Sequence, residues 1–183
     1  MEQPYNPSAK TPLPAKAQTA VLGGGCFWCL EALYYTVEGV HQVESGFAGG
    51  QTENPTYRQV IEGGTGHAEV VKITYDPAKV TYAQLLEFFW LAHDPTTLNR
   101  QGNDVGPQYR SIILPANDEE EKAARASIAS HQSKFDDPIV TQVVPLEKFY
   151  LAENYHQDYF ANNPNAGYCR FVIAPKLQKV LGN

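Results

Sequence analysis

Residues 23–31 have the sequence Gly23-Gly24-Gly25-Cys26-Phe27-Trp28-Cys29-Leu30-Glu31 and follow the apolar run Ala20-Val21-Leu22. An apolar run, a glycine-rich segment and a helix-compatible tail predict a strand, a tight turn and a helix. The turn would place Cys26 in the first turn of that helix, where unpaired N–H groups and the helix dipole favour an anion. We therefore expect Cys26 to have a lowered pKa and to act as a nucleophile.

Cys26 and Cys29 form a C-x-x-C pair that admits three interpretations. A zinc site would need a second pair of ligands, which Cys169 alone does not supply. A redox-active dithiol is typical of a C-x-x-C that follows a strand and opens a helix. Two buried cysteines that act as small apolar side chains are the third possibility. The glycine triplet and the intervening aromatic pair favour a catalytic Cys26.

Length and composition favour one folded domain. The chain has 183 residues, of which 43% are hydrophobic and 19% charged, as in ordinary globular proteins. We expect residues 1–17, which contain several prolines and lysines, to form a flexible arm and residues 18–183 a single catalytic domain. A net charge of -6 argues against nucleic acid as a partner. Three cysteines, no apolar signal segment and no membrane-length apolar run suggest a cytoplasmic protein without contact to a membrane. We also expect a monomer.

Periodicity and turn signals predict short strands that alternate with helices. The predicted strands are Thr19–Leu22, Val40–Phe47, His67–Tyr75, Tyr109–Leu114 and Ile139–Val144. The predicted helices are Cys26–Val37, a short helix from the N-cap Thr56 to Ile61, Tyr82–Ala92 after the N-cap Thr81, Asp118–Lys134 and Pro175–Leu181. Short amphipathic strands suit a sheet with helices on one face. We therefore expect an α+β two-layer sandwich with a ferredoxin-like split βαβ core, a mixed sheet and a long C-terminal coil.

Polar and aromatic residues in three segments are candidates for a site around Cys26. Phe27 and Trp28 either hold a small apolar group against the nucleophile or belong to the core. Glu69 has two interpretations. On a solvated strand face it would be inert, whereas beside an aromatic pocket desolvation would raise its pKa and make it a proton donor. His67 is a weaker candidate for acid–base chemistry or substrate contact.

The long loop that contains residues 93–107 is a further functional candidate, because loops of this length are uncommon inside compact domains. Asp104 lies between two glycines, where it is either a turn residue or an orienting carboxylate. Tyr109 and Tyr57 are either core residues with satisfied hydroxyls or hydrogen-bond donors in the site.

Taken together, these segments resemble the peptide methionine sulfoxide reductase A family. GGGCFWCLE is similar to the family signature, and NPTYRQV, TGHAEVV, FFWLAHDPT and RQGNDVGPQYRS resemble other hallmark blocks in the same order. The resemblance extends from about Val21 to Leu114 and more loosely to Cys169. It implies an oxidoreductase that repairs oxidative damage by reducing the S epimer of methionine sulfoxide, free or in proteins. It also implies regeneration by thioredoxin, and we expect no metal or other cofactor.

The resemblance also implies a role for individual residues. The matches are Cys26 with the nucleophile, Phe27 and Trp28 with the wall that holds the sulfoxide methyl group, Glu69 with the acid, Tyr57 and Tyr109 with the hydroxyls that bind the sulfoxide oxygen, and Asp104 with the carboxylate that orients substrate and water.

In the implied reaction, Cys26 attacks the sulfoxide sulfur while neutral Glu69 protonates the oxygen, and Cys26 becomes a sulfenic acid. A second thiol then forms a disulfide that an external dithiol reduces. Gly167-Tyr168-Cys169 fits the first half of the resolving pattern of the family, whereas Cys29 is one helical turn from Cys26. The sequence leaves the choice open and slightly favours Cys169.

Two other classes of function fit parts of the same sequence. A general thiol–disulfide oxidoreductase would use Cys26 and Cys29 and would not need Glu69. A metal-binding module without enzymatic activity would hold zinc stoichiometrically.

Overall fold

The computed structural model describes residues 12–182, in which short strands and helices alternate. Residues 1–11 of the predicted arm lie outside the described residues. The strands are β1 (Gln18–Gly23), β2 (Val40–Ala48), β3 (Ala68–Tyr75), β4 (Arg100–Gln101), β5 (Asp104–Val105), β6 (Ile112–Leu114), β7 (Gln142–Val143) and β8 (Phe149–Leu151). The α-helices are α1 (Phe27–Tyr34), α2 (Tyr57–Glu62), α3 (Tyr82–Ala92), α4 (Asp118–His131), α5 (Tyr159–Asn162) and α6 (Ala174–Leu181).

A mixed sheet of six strands organises the described chain. Its order is β7-β6-β1-β3-β2-β8, and all neighbours are antiparallel except β6 and β7, which are parallel. Helix α1 connects β1 to β2, and β3 lies between these two strands, which is a split βαβ arrangement. Strands β4 and β5 form a separate hairpin in the long loop after α3. The predicted combination of helices with a mixed sheet is confirmed.

The two faces of the sheet pack differently. Because side chains alternate along a strand, Leu22 and Val21 of β1 belong to different clusters of buried residues. The cluster of Leu22 contains the apolar side chains of α1 and α3. The cluster of Val21 is covered by Val144 and Leu146 from the segment between β7 and β8, and by Phe149, the first residue of β8. Helices therefore cover one face, and an extended segment covers part of the other.

Local signals placed two helices correctly. Thr56 and Thr81 each accept a hydrogen bond from the backbone N–H three residues later and form a capping box. Helices α2 and α3 begin at the residues that follow these threonines, as predicted. No helix within residues 12–182 is both long enough and apolar enough to cross a bilayer.

Two predicted strands in the second half of the chain are shorter in the structure. Tyr109 ends a 3-10 helix, Pro107–Tyr109, instead of beginning a strand. Proline at the first position favours this turn, because its φ is fixed and it has no N–H to donate to a sheet. The predicted strand Ile139–Val144 is reduced to β7, which pairs with Ile112 and Ile113 alone.

The C-terminal part is more regular than the predicted long coil. Strand β8 lies within this region and pairs with Gly46, Phe47 and Ala48 at the edge of the sheet. The coil ends before a five-residue π-helix, Cys169–Ile173, which continues into α6. Pairing with β2 determines strand β8, and packing against the core determines the π-helix. Both depend on residues distant in sequence, so the local sequence does not predict them.

Candidate active site

The glycine turn between β1 and α1 brings Cys26 to the start of the helix. Gly25 has a φ of 88°, and its N–H donates a hydrogen bond to the Tyr109 carbonyl at 3.1 Å. A Cβ on Gly24 would lie 2.6 Å from the His93 ring, so the turn packs directly on this side chain. Cys26 is the N-cap residue of α1 and is buried, with 6% of its surface exposed. The predicted strand–turn–helix is therefore present.

The thiol of Cys26 does not have the lowered pKa that the sequence suggested. Burial raises the pKa of Cys26 well above its ordinary value, and a hydrogen bond to Cys29 and the charge of Glu69 raise it further. The same Cys26–Cys29 hydrogen bond lowers the pKa of Cys29. A helix dipole can be inferred from the sequence, whereas desolvation of the thiol depends on the tertiary packing and outweighs the dipole here. In the absence of substrate, Cys26 is therefore a protonated thiol.

Glu69 lies at the N-terminus of α1 with one oxygen satisfied and one free. Strand β3 carries Glu69 opposite Phe47 of β2, and the residue is 1% exposed. Its Oε1 accepts a hydrogen bond from the Phe27 N–H at 3.1 Å, and its Oε2 has no hydrogen-bond partner in the described chain. Burial raises the pKa of Glu69 from 4.5 to about 8. Glu69 is therefore mostly protonated at neutral pH and can donate a proton.

Tyr57 and Tyr109 lie close to both reactive groups. Burial raises the pKa of each hydroxyl, and the next largest cause for each is the charge of Glu69; Cys26 also contributes to both. Tyr109 is held by its neighbour Arg110, whose guanidinium donates to the carbonyls of Pro107 and Gly66. The structure thus brings four predicted site residues from distant parts of the sequence into one cluster.

Phe27 and Trp28 differ in exposure and therefore in the roles open to them. Phe27 is fully buried and lies beneath Tyr57, with ring centroids 6.1 Å apart. Trp28 is half-buried, stacks on Tyr159 with centroids 3.8 Å apart, and donates its Nε1–H to His156 Nδ1 at 3.1 Å. Of the two interpretations from sequence, Phe27 fits the core beneath the site, and Trp28 can present an aromatic face to a ligand.

Two supporting residues were missed in the sequence. The Glu153 carboxylate accepts hydrogen bonds from the Tyr57 N–H at 3.1 and 3.3 Å and so fixes the first residue of α2. The ring of His156 packs against both Trp28 and Tyr57, with centroid distances of 5.6 and 4.3 Å. Both residues belong to the segment from Phe149 to Phe160. The many aromatic residues of this segment were the one feature of the sequence that could have indicated its part in the site.

Asp104 is linked to Cys29 through Tyr168, a residue for which the sequence predicted no role. Tyr168 donates its hydroxyl proton to Asp104 Oδ2 at 2.7 Å, and the same hydroxyl lies 3.6 Å from Cys29 Sγ. Cys169 is fully buried, and burial followed by the charge of Cys29 raises its pKa. All three cysteines are free thiols in the structure. The position of Tyr168 directly before Cys169 was its only signal.

His67 is engaged by the backbone of the turn after β2. The Gly50 N–H donates to its Nδ1 at 3.0 Å, so the neutral ring donates from Nε2 to the Thr52 carbonyl at 2.7 Å. Both ring nitrogens are therefore occupied, which leaves none for the expected contact with substrate. Residues 12–182 contain no group of three or more His, Cys, Asp or Glu side chains that could hold a metal ion.

A cavity of about 660 Å³ lies outside this cluster. Its lining includes Trp90, Asp137, Lys176 and Val180, and none of the predicted site residues takes part. The reactive groups therefore lie outside this cavity.

The site combines a thiol at a helix start, a buried neutral carboxyl, two tyrosine hydroxyls and a second thiol one helical turn away. These features define a thiol-dependent oxidoreductase on an α+β scaffold. The family model for "Peptide methionine sulfoxide reductase" matches residues 18–183. The chain belongs to the peptide methionine sulfoxide reductase family.

Individual relatives agree with this assignment. Peptide methionine sulfoxide reductase MsrA of Leptospira borgpetersenii is 58% identical over 164 residues, which are 90% of this chain and 93% of the relative. The structure of methionine sulfoxide reductase A of Corynebacterium diphtheriae superposes with a TM-score of 0.83 at 38% identity and covers 92% of this chain and 85% of that one. Mxr1 from Saccharomyces cerevisiae in complex with Trx2 superposes with a TM-score of 0.58 at 25% identity, over 82% of this chain and 91% of that one.

Proposed function

We propose that this enzyme reduces the S epimer of methionine sulfoxide, free or in proteins, with Cys26 as the nucleophile and Glu69 as the proton donor. The observation that carries the proposal is the buried carboxyl of Glu69, whose pKa is about 8, in the same cluster as the Cys26 thiol. A sulfoxide oxygen leaves sulfur only when it is protonated, and a neutral carboxyl at physiological pH supplies that proton. Family membership supports the same reaction.

The first step joins sulfur to sulfur while a proton reaches oxygen. Cys26 Sγ attacks the sulfoxide sulfur, Glu69 gives its proton to the oxygen, and the proton of the Cys26 thiol replaces the one that Glu69 lost. The hydroxyls of Tyr57 and Tyr109 stabilise charge on the oxygen. The oxygen leaves the substrate sulfur as water with a second proton from Glu69, and water attacks Cys26 Sγ and returns a proton to Glu69. The S–S bond breaks, methionine leaves with the electron pair of that bond, and Cys26 becomes a sulfenic acid. In this proposal Trp28 and the underlying Phe27 hold the methyl group, and Asp104 helps to orient substrate and water.

The second half of the cycle restores the thiol. A resolving thiol, Cys29 or Cys169, condenses with the sulfenic acid to a disulfide and releases water, and thioredoxin reduces that disulfide. The complex of the related Mxr1 with Trx2 supports a thioredoxin-type reductant. Three free cysteines and dependence on an external dithiol suit a reducing compartment, so we propose a cytoplasmic location.

A racemic methionine sulfoxide peptide tests the proposal. With dithiothreitol as reductant, chiral chromatography should show loss of the S epimer alone and retention of the R epimer. Cys26→Ser should abolish the reaction while its circular dichroism spectrum matches that of the wild type. Consumption of both epimers, of neither, or by the Cys26→Ser variant would contradict the proposed function.

A further inference from the structure

Asp104, Tyr168 and Cys29 form a continuous polar path that ends at the reactive thiol pair. The Tyr168 hydroxyl lies 2.7 Å from Asp104 Oδ2 and 3.6 Å from Cys29 Sγ, the latter within the distance usual for sulfur hydrogen bonds. The three residues come from the β4–β5 hairpin, the segment before the π-helix and α1. Such a path through side chains from three separate elements indicates a specific arrangement and not a local turn.

The direction of these hydrogen bonds follows from the number of protons. A tyrosine hydroxyl has one proton, and the carboxylate of Asp104, which can only accept, takes it. The contact of Tyr168 with Cys29 is therefore a hydrogen bond that the thiol donates to the hydroxyl oxygen. When Cys29 loses its proton, the proton can pass to Tyr168 while the proton of Tyr168 passes to Asp104.

Cys29 is also better placed than Cys169 to meet Cys26. The Cys29 N–H donates to the Cys26 carbonyl at 3.1 Å, so the two residues share the first turn of α1, and the interaction with the Cys26 side chain is the largest cause of the lowered pKa of Cys29. Cys169 begins the π-helix and is fully buried in the core cluster. The geometry therefore favours Cys29, whereas the sequence pattern slightly favoured Cys169.

We propose that the Asp104 carboxylate, acting through the Tyr168 hydroxyl, is the base that prepares Cys29 to attack the sulfenic acid of Cys26. This inference rests on the proposed function, since it requires that Cys26 has first become a sulfenic acid. It makes Tyr168 a positioning and proton-transfer residue of the resolving step. It gives Asp104 a role in the thiol cycle beside any contact with substrate.

The resolving step balances with the groups present. Cys29 Sγ attacks Cys26 Sγ, the S–S bond forms, and the S–O bond of the sulfenic acid breaks. Cys29 sulfur is oxidised and Cys26 sulfur is reduced. The leaving hydroxide takes the proton of Glu69 and becomes water, while the proton of Cys29 moves through Tyr168 to Asp104. Exchange with solvent returns Asp104 to the carboxylate and Glu69 to the acid, so no further oxidant or reductant is needed.

The charge on Cys29 is set by groups from several elements packed around it. The hydrogen bond with Cys26 is the largest cause of the lowered pKa of Cys29, and burial opposes it. Other titratable groups facing Cys29 are Lys176 of α6, Tyr168 and Cys169 of the C-terminal segment, Asp104 of the hairpin and Glu69 of β3. The single cation among these described groups, Lys176, and the hydrogen bond with Tyr168 also lower the pKa of Cys29, whereas the charge of Asp104 raises it, and the net direction is downward.

Single-turnover kinetics without reductant test the relay. Enzyme is mixed with methionine sulfoxide peptide, quenched at intervals, and analysed for methionine, for trapped sulfenic acid and for disulfides by peptide mapping. In Tyr168→Phe and Asp104→Asn, sulfenic acid should accumulate and the second step should slow relative to the first. An ordinary thiol with a pKa of about 8.5 is roughly 3% ionised at pH 7, so the loss at that pH should be up to about 30-fold.

A pH profile separates proton transfer from a merely structural role. Disulfide formation in Tyr168→Phe should recover towards the wild-type rate as the pH rises to about 9, because solvent then ionises Cys29. Tyr75→Phe removes a hydroxyl that binds Gln18 at 3.2 Å, remote from this path, and should behave as wild type at each pH.

The possible failures of the two proposals are distinguishable. If the wild type forms no methionine, the proposed function itself is wrong. If methionine forms but Tyr168→Phe resolves at the wild-type rate and pH dependence, the relay is wrong. The relay is equally wrong if the first disulfide joins Cys26 to Cys169 and Cys29→Ser leaves its rate unchanged.

Discussion

At the level of single residues, Glu69 combines a buried acid with a helix N-terminus. Its Oε1 is bound to the Phe27 N–H, and its Oε2 has no partner in the described chain. The backbone hydrogen bond lowers the pKa and burial raises it, and burial dominates. The protein thus keeps a carboxyl in its acid form at the place where the helix dipole would favour the ionised form.

Replacement of this acid should separate sulfoxide reduction from general disulfide reduction. We expect Glu69→Gln to lower kcat for sulfoxide reduction by about 100-fold or more, the range of general acid catalysis. Reduction of insulin disulfides needs no such acid, so its rate should be the same in Glu69→Gln and in the wild type. Glu44→Gln, on the neighbouring strand β2, serves as the matched control for both assays. Equal activity of Glu69→Gln and wild type on the sulfoxide would favour a general thiol–disulfide oxidoreductase.

The raised pKa of Glu69 also predicts how stability depends on pH. The folded pKa, about 8, is above the ordinary 4.5, so the folded protein binds the extra proton between these values. The contribution of Glu69 to the free energy of unfolding is complete below pH 4.5 and is lost as the pH rises through about 8. Across this window, the wild type should lose about 1.4 kcal/mol per pH unit relative to Glu69→Gln.

Urea denaturation of both proteins at several pH values from 5 to 9 measures this difference. Titration of the other groups is common to both proteins and cancels in the comparison. The prediction fails if the two proteins have parallel pH profiles.

At the level of secondary-structure elements, the turn from β1 to α1 depends on a histidine from the end of α3. His93 Nδ1 donates to the Phe89 carbonyl and its Nε2 accepts from the Ser111 hydroxyl, both at 2.7 Å. Burial lowers the pKa of His93 to about 3, so the ring is neutral. A ring held at both nitrogens cannot move away from the turn, and this fixes how closely the backbone of Gly24 can approach.

A methyl group at Gly24 should therefore disturb both stability and catalysis. The added Cβ would lie 2.6 Å from His93 Cδ2, a distance that requires the turn to shift. We expect Gly24→Ala to destabilise the fold by about 1–3 kcal/mol and to lower kcat, because Cys26 follows two residues later. Gly167→Ala is the control, since no atom lies within 4 Å of a Cβ there. Thermal denaturation and steady-state rates measure both effects, and equal losses in the two variants would contradict the explanation.

At the level of the whole molecule, the C-terminal segment belongs to the same core as the sheet and its helices. Cys169, Ile173 and Leu177 are buried in the cluster that contains the apolar faces of α1 and α3. The spacing of these three residues places them on one face of the continuous helical segment. The segment that carries Tyr168 and Cys169 is therefore held against α1 by apolar packing as well as by hydrogen bonds.

Loss of this packing should be felt by the whole fold. Ile173 is fully buried, so Ile173→Ala should cost about 2–5 kcal/mol of unfolding free energy. For a chain of this size, the Tm should fall by roughly 4–20 °C. Phe171→Ala, at a residue with 76% of its surface exposed, should change stability by less than about 0.5 kcal/mol. Similar Tm values for the two variants would mean that the segment is not part of the cooperative core.

The sequence predicted elements best where the signal was local. The capping threonines Thr56 and Thr81 identified the starts of α2 and α3, because a cap needs only the next three residues. Strand β8 and the π-helix at Cys169 were not predicted, because a partner strand and a packing surface determine them. The glycine turn was predicted from its composition, but its contact with His93 depends on the end of α3, far away in sequence.

For the site, the sequence by itself determined the type of chemistry and the family, since residue identity and spacing carry both. It identified Cys26, Glu69 and the two tyrosines as candidates. Only the tertiary structure decided their ionisation, because burial raises the pKa of Cys26 and makes Glu69 an acid at neutral pH. The tertiary structure also linked Asp104 to Cys29 through Tyr168. Desolvation and contacts between distant segments depend on how the whole chain packs, and no local pattern of residues specifies them.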